Sequence, residues 1–286
     1  MISVIVPVYN EEASVEGTIR GLSKTLSPLG EYEIICVNDG SSDGTAGVLA
    51  RLAGGRVKVV EHLENIGYGK ALLDGILAAS SECIAIIDAD SSYPPEALAE
   101  LMKYYPRYDM VVGARQGGEY RKGLFKRPAR LLFAALVGYA TGREIPDVNS
   151  GLRIFKRSLV LKFRDSICTG FSFTTTLTLL FFLNHYYVKY VPVEYMKRSG
   201  ESKVRHFVDT LRAGQIIVQA MVRYNPIKLF LLLASLNALL GAVLWLLDVL
   251  SGGSPVLRLA AALCLASFVP LFSLGLVTER IQRAAD

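Results

Sequence analysis

The chain has 286 residues, enough for one large domain or two small ones, with 51% hydrophobic and 20% charged side chains and a formal net charge of +5. With a mean hydropathy of +0.35, this balance excludes a disordered or low-complexity protein and is too apolar for an ordinary soluble enzyme. The excess is local: the last 58 residues, from Leu229, hold only three basic and three acidic groups, so a polar, mildly basic domain carrying the whole net charge precedes an apolar tail.

The opening Met-Ile-Ser-Val-Ile-Val-Pro-Val-Tyr has no basic n-region and reads as a strand, not as a signal peptide. Apolar runs follow at 33–38, 57–61, 83–88 and 109–113, separated by helical stretches near 12–26, 43–53, 68–80 and 95–105. Such alternation predicts an α/β fold, a doubly wound, mostly parallel sheet with helices on both faces. Ligands bind such sheets beyond the carboxyl ends of the strands, so those ends are where chemistry is expected.

Three strand ends carry polar clusters. The first runs into Pro7-Val8-Tyr9-Asn10-Glu11-Glu12, the second into Asn38-Asp39-Gly40-Ser41-Ser42-Asp43-Gly44, and the fourth into Asp88-Ala89-Asp90. Helix capping accounts for Ser42 and Asp43. It does not account for Asp39, or for two carboxylates one residue apart at the end of an Ile-Ala-Ile-Ile strand. Carboxylates so crowded repel unless a cation lies between or beside them, and oxygen-only ligands suit Mg²⁺ or Mn²⁺. Gly67-Tyr68-Gly69-Lys70 mimics the end of a phosphate loop, but Glu64 and Ala71 stand where a Walker A site needs Gly and Ser or Thr. No Gly-x-Gly-x-x-Gly follows the first strand, which argues against a dinucleotide site. His62, His185 and His206 have no zinc-ligand spacing, and the four cysteines form no Cys-x-x-Cys pair, in keeping with buried thiols in a reducing compartment.

From Arg115 to Arg130 the chain is basic, with Arg115, Arg121, Lys122, Lys126, Arg127 and Arg130 running into Leu131-Leu132-Phe133-Ala134-Ala135-Leu136. A Lys/Arg-rich segment entering such a helix, at about 126–141, reads as interfacial, the competing account being a solvated charged face. A second amphipathic helix is expected over 206–225, next to the membrane. In the tail, 229–247 and 259–278 are 19 and 20 residues long and free of charge, each long enough to cross a hydrocarbon core. Asn237 and Pro270 interrupt them only mildly. The Gly-Gly-Ser-Pro connection allows nothing but a hairpin turn. Arg212, Arg223 and Lys228 before the first span and Arg280 and Arg283 after the second, against a lone Arg258 between them, place the large domain in the cytoplasm. The organisation expected is thus a cytoplasmic domain over 1–205, the juxtamembrane helix over 206–225 and a transmembrane hairpin over 226–286, a multi-pass membrane protein.

In order and spacing, Val6-Pro7-Val8-Tyr9-Asn10-Glu11, the 38–44 segment, the Asn65-x-Gly67 turn and Asp88-Ala89-Asp90 resemble a family 2 glycosyltransferase with the glycosyltransferase A fold. Val112-Gly113-Ala114-Arg115, Asp147-x-x-Ser150-Gly151-x-Arg153-x-Phe155, Arg198-x-Gly200-x-Ser202-Lys203 and the terminal hairpin narrow the resemblance to the polyprenyl-phosphate sugar transferases, the type that includes the dolichyl-phosphate mannose synthases. It implies that Pro7, Tyr9, Glu11 and Asp39 hold the base and ribose of a UDP- or GDP-linked donor, that Asp88 and Asp90 serve its diphosphate and metal, and that the anomeric centre is inverted. Two positions depart from the mannose synthases: Ser92 replaces a Gln metal ligand, and Thr176 stands where they have Glu.

A phosphate monoester acceptor is largely anionic at cytoplasmic pH, its second pKa being about 6, so no general base is required. What the reaction needs is cationic positioning of two anionic reactants. Arg115, at a strand end, Arg127 and Arg130 are the candidates for the acceptor phosphate, and Arg198 and Lys203 for closing over the donor, unless the last two are ordinary positive-inside residues. Asp147 binds a sugar hydroxyl, stabilises developing positive charge, or caps the Ser150-Gly151 turn. The expected catalytic set is Asp90, Arg115 and Asp147, with Asp88, Asp90 and Ser92 at the metal. The expected partners are a nucleotide sugar, a polyprenyl phosphate such as dolichyl or undecaprenyl phosphate, and the lipid bilayer, with no nucleic acid and homo-oligomerisation left open. A transferase acting on a glycolipid or polysaccharide is the competing enzyme, although the nearest string to its Gln-x-x-Arg-Trp motif, Gln219 to Tyr224, is off by one. A catalytically silent membrane scaffold is the competing non-enzyme.

Overall fold

The computed structural model describes residues 1–117, 127–170, 172–197 and 206–285. Two units divide the chain, Met1–Ala213 and Gly214–Asp286.

The first unit is built on one seven-stranded sheet in the order β3-β2-β1-β4-β6-β5-β7, formed by β1 (Ile2–Val8), β2 (Tyr32–Asn38), β3 (Val57–Glu61), β4 (Cys83–Ile86), β5 (Met110–Gln116), β6 (Arg153–Lys156) and β7 (Val188–Glu194). Strand β6 runs antiparallel to both neighbours, and every other pairing is parallel. Helices α1 (Val15–Leu26), α2 (Thr45–Leu52), α3 (Tyr68–Ala78) and α4 (Ala97–Met102) connect the first five strands. Crossovers of this kind cover both faces of the sheet, which is why β2 is buried at all seven positions and β1 at six. At the edge, β3 exposes Lys58 and Glu61 and half-buries its three valines. Helix α1 buries Val15, Thr18, Ile19, Leu22 and Leu26, the spacing of one helical face. Helix α3 lies so close to β1 and β2 that a Cβ on Gly75 would overlap Ile5 and stand 3.0 Å from Val37.

Several boundaries differ from the sequence reading by up to three residues, β5 reaching Gln116 and α4 ending at Met102 among them, and two of the differences have local reasons. Helix α1 begins three residues late, because the backbone at Glu11–Ser14 closes a separate turn in which Ser14 Oγ donates to Glu11 Oε2 at 2.8 Å. Strand β4 ends at Ile86, where its pairing with β1 and β6 runs out. Residues 87–92 are thereby released into an irregular turn, with Ser91 at a φ of +60°.

After β5 come α5 (Arg127–Thr141), β6, the short α6 (Arg157–Lys162), α7 (Phe173–Leu183), β7 and α8 (His206–Tyr224), within which the boundary between the units falls.

The second unit contains α9 (Pro226–Leu250), α10 (Pro255–Ala266) and α11 (Phe268–Ala285). Pro226 starts α9 in the position where its missing N–H costs nothing, and Asn225 Oδ1 accepts from the Lys228 amide. Helix 226–250 and the segment 255–282 are long and apolar enough to cross a membrane, with mean hydropathies of 2.3 and 2.2 and only 11% of each apolar window buried. The expected second span is interrupted more than the sequence suggested: it breaks at Ser267 into α10 and α11. Pro270 has no N–H to offer the carbonyl of residue 266, and its ring crowds that carbonyl. Close approach occurs at glycines, since a Cβ on Gly241 would lie 3.1 Å from the Ala261 carbonyl and one on Gly275 2.9 Å from Phe230. Across the connection, buried Asp248 of α9 accepts from the Ser254 amide at 2.5 Å and from Nε of Arg258, in the first turn of α10, at 3.1 Å, so the lone basic residue between the expected spans 229–247 and 259–278 is paired in place.

Glu33 tests the first unit. Burial alone would raise its pKa, but Lys58 at 2.7 Å and hydrogen bonds from Ser3 and Ser80 outweigh burial and bring it from 4.5 to about 2. A carboxylate depressed on folding contributes stability that is present above its unfolded pKa and lost as pH falls toward the folded one. Thermal unfolding in detergent should therefore show the wild type losing stability between pH 4.5 and 2, with Glu33→Gln losing distinctly less over that window.

Candidate active site

The loops leaving β1 and β2 are stitched together. The Asn10 amide donates to Ser41 Oγ at 3.0 Å, Asn10 Oδ1 accepts from the Ser42 amide at 2.7 Å, and the Glu11 amide donates to Thr45 Oγ1 at 2.9 Å. Asp43 accepts from the Thr45 amide at 3.0 Å across a tight turn, but the N-cap of α2 is Gly44, so neither Asp43 nor Ser42, which bonds to Asn10, takes the N-cap position expected of them. Pro7, Tyr9 and Glu11 line this end of the sheet as half-buried residues. Asp39 is buried, and its carboxylate is occupied by the turn after β3. Its Oδ1 accepts from the Ile66 amide at 3.0 Å and lies 2.8 Å from His62 Nδ1, while Oδ2 accepts from the Gly67 amide at 2.9 Å.

Beyond β4, Asp88 Oδ1 accepts from the Tyr68 hydroxyl at 2.9 Å. Burial, and next the Asp88 charge, hold the Tyr68 phenol well above its ordinary pKa, so it remains a donor. On the other side, a Cβ at position 151 would overlap the Asp88 carboxylate, and Gly151 is what admits it. Asp90 Oδ1 accepts from the Ser92 amide at 3.0 Å, and Thr18 of α1 backs the turn by donating to the Ala89 carbonyl at 3.1 Å. Ser92 is 0% exposed, and among the described residues its Oγ is a buried hydroxyl without a hydrogen-bond partner. Among these residues no group of three or more His, Cys, Asp or Glu side chains could hold a metal. Two carboxylates and an orphaned hydroxyl nevertheless fit Mg²⁺ or Mn²⁺, which take one or two protein carboxylates and fill the remaining positions with phosphate oxygens and water.

A second cluster faces this turn from β5 and the 147–151 loop. Arg115 grips Asp147 bidentately, Nε to Oδ2 at 2.7 Å and Nη2 to Oδ1 at 2.8 Å, and its amide also donates to Oδ2 at 3.1 Å. Its guanidinium carbon stands 5.5 Å from the centre of the Tyr195 ring. Of the three roles open for Asp147, the geometry shows a fourth kind of work, orienting Arg115, together with a turn bond from the Asn149 amide at 3.2 Å. Tyr93 joins the two clusters, its hydroxyl accepting from the Gly151 amide at 2.9 Å. Arg153, 0% exposed, lies beneath the loop and donates to the carbonyls of Ser150 and Val148 and to Thr178 Oγ1 at 2.7 Å. Burial pushes its pKa down, against the pull of Tyr190 and Asp147.

The structure thus brings together Asp88, Asp90, Ser92, Arg115 and Asp147. Arg127 and Arg130 fall in the first turn of α5, with side chains outside the described residues, as do Arg198 and Lys203 entirely. The Met196 amide, two residues before Arg198, donates to the Ser92 carbonyl at 2.9 Å, so the chain departs for that segment from the Asp90 turn. Thr176 turns its hydroxyl back on the Ser172 carbonyl, and it is Thr175 that reaches the 147–151 loop, donating to Asn149 Oδ1 at 2.6 Å. The sequence reading missed Tyr68, Tyr93, Asn149 and Thr175. Tyr68 stands in a turn it did single out, but nothing in local spacing shows which strand end a tyrosine will reach.

The model of glycosyl transferase family 2 matches residues 3–171. A dolichyl-phosphate hexose transferase of Haloferax volcanii is 30% identical over 221 residues, covering 76% of this chain and 92% of that protein. An undecaprenyl-phosphate 4-deoxy-4-formamido-L-arabinose transferase of Klebsiella pneumoniae is 29% identical over 265 residues, 91% of this chain and 77% of the relative. Among solved structures, the glucosyl-3-phosphoglycerate synthase of Mycobacterium tuberculosis superposes with a TM-score of 0.57 at 24% identity, covering 78% of this chain and 80% of that one. That likeness establishes the glycosyltransferase A fold expected from the motifs. Because the family match begins on β1 and runs through the Asp88 turn and the loop around Arg153, it takes in the strand-end loops that build the site, and the chain belongs to glycosyl transferase family 2.

Proposed function

We propose that the protein transfers a sugar from a nucleotide diphosphate sugar to a polyprenyl phosphate at the cytoplasmic face of a membrane, with inversion at the anomeric carbon. The observation that carries this reading is the coexistence in one chain of the Asp88–Asp90–Ser92 turn and two apolar segments long enough to cross a bilayer. The names of the similar proteins, transferases for dolichyl phosphate and undecaprenyl phosphate, support the acceptor class. The solved relative with Mn²⁺ and UDP supports a metal-dependent nucleotide donor.

Asp88, Asp90 and the Ser92 hydroxyl would hold Mg²⁺ or Mn²⁺, which when bound neutralises the donor diphosphate and stabilises it as a leaving group. Pro7, Tyr9, Glu11 and Asp39 would hold the base and ribose, and Asp39 also supports that end of the cleft by holding the 62–67 turn. Arg115, kept in one orientation by Asp147, offers a guanidinium to phosphate near the metal side of the cleft. Arg127 and Arg130 are proposed for the acceptor phosphate, and Arg198 and Lys203 for the donor. The acceptor oxygen attacks as an anion, so the chain needs to position it and exclude water, not to remove a proton. The two apolar segments anchor the enzyme beside the leaflet, while the acceptor's isoprenoid tail stays in lipid.

Asp90→Asn should abolish transfer while changing the melting temperature by no more than a few degrees, because Asp90 is buried but Asn has the same shape and its Oδ1 still accepts from the Ser92 amide. Transfer that survives both this change and EDTA would sink the metal assignment. Arg115→Ala should raise the acceptor KM or lower kcat and leave nucleotide affinity nearly unchanged, whereas loss of nucleotide binding in a titration would move Arg115 to the donor side. Truncation after Asn225 should depress transfer to a long polyprenyl phosphate far more than transfer to a short water-soluble analogue, and equal losses on both acceptors would refute the anchoring role.

A further inference from the structure

The turn between β3 and α3 is built more firmly than a connection requires. Gly67 takes a φ of +111°, which an L side chain rarely adopts, and the consecutive amides of Ile66 and Gly67 both donate to the Asp39 carboxylate, at 3.0 and 2.9 Å. Asp39 is itself held by His62, whose Nε2 lies 3.1 Å from Asp74 of α3. Past the turn, the Lys70 amide donates to the Thr169 carbonyl at 2.7 Å, and Gly69 lies so close to the 168–170 backbone that a Cβ there would stand 2.6 Å from the Gly170 oxygen. Tyr68 sits between these two fixed points, and its hydroxyl is directed onto Asp88 Oδ1.

We infer that Tyr68 is a positioning residue for the metal and diphosphate site, acting through Asp88, and that Asp39 with His62 serves the same end by fixing the turn that aims Tyr68. The inference rests on the reading that Asp88 faces the donor diphosphate and its cation. Asp88 packs directly against the bare α-carbon of Gly151 and accepts from the Tyr68 hydroxyl, so the hydroxyl favours one orientation of the carboxylate before any ligand arrives. Removing that hydroxyl leaves the ring in place and takes away one of the bonds that orient the carboxylate. Outer hydrogen bonds of this kind change metal affinity by about 10- to 100-fold when lost.

The test uses the full chain in detergent, with Mn²⁺ as the probe, titrated by electron paramagnetic resonance in the presence of UDP and, separately, GDP. Tyr68→Phe should bind Mn²⁺ on the order of tenfold more weakly. It should lower kcat/KM for the donor by a similar factor, leave the acceptor KM unchanged, and melt within a few degrees of the wild type. Wild-type amide exchange over residues 66–70 should slow when Mn²⁺ and nucleotide are added, because a ligand on Asp88 stabilises the residue aimed at it. This second measurement decides the matter even if the variant does not fold. Equal Mn²⁺ affinity in the two proteins, or exchange at 66–70 that ignores the ligand, overturns the role of Tyr68 and leaves the proposed reaction standing. A wild type that binds no Mn²⁺ with either nucleotide overturns both.

Discussion

Arg153 carries a full positive charge with no exposed surface, and much of the site is arranged around it. A guanidinium cannot shed its proton at any ordinary pH, so burying one without partners is prohibitive, and stripping a buried charge of its partner costs about 3–5 kcal/mol. Here the partners are mainly carbonyls: Ser150 and Val148 turn their oxygens inward to receive Nε and Nη2, and Thr178 supplies a hydroxyl to Nη1. A loop whose carbonyls point at a buried cation has its remaining groups pointing elsewhere. In this way the 147–151 segment presents Asp147 to Arg115, Asn149 to Thr175 and the bare α-carbon of Gly151 to Asp88. The antiparallel β6, inserted between β4 and β5, is the element that carries Arg153 to this place.

The same economy governs the anionic side. Asp88 and Asp90 are one residue apart, and the protein separates their tasks: Asp90 turns back to take the Ser92 amide, and Asp88 is met by a tyrosine hydroxyl. Both bonds are donated by neutral groups, an amide and a phenol. Opposite them, the Arg115–Asp147 pair is internally balanced in charge. The two parallel hydrogen bonds hold its planar fork in one orientation. In the second unit a comparable local cancellation occurs at Asp248 and Arg258, which leaves the connection between the apolar segments without net charge.

The architecture was legible from the chain because it follows from periodicity. Alternating apolar runs and helical stretches locate the first five strands and four helices to within about three residues, and the strand-end rule leads directly to Asp39, Asp88 and Asp90. The charge-free segments of the tail are equally plain, since length and composition suffice to mark a stretch that can cross a bilayer. The break at Ser267 was less legible, although its cause, Pro270, was in view, because whether a proline kinks or interrupts an apolar helix depends on its neighbours.

Residue roles within the site were not legible in the same way. The motif around Asp39 does not show that its oxygens accept from a turn 27 and 28 residues further on. Asp147 orients Arg115 across 32 residues, and Tyr68 reaches Asp88 across 20. Sequence by itself determined the fold class, the strand ends at which chemistry gathers and the two apolar segments, because those depend on local pattern and on burial summed over many residues. Tertiary structure alone decided which distant group each carboxylate meets, because a hydrogen bond is satisfied within about 3 Å by whichever partner the fold brings there, and chain separation carries no record of that distance.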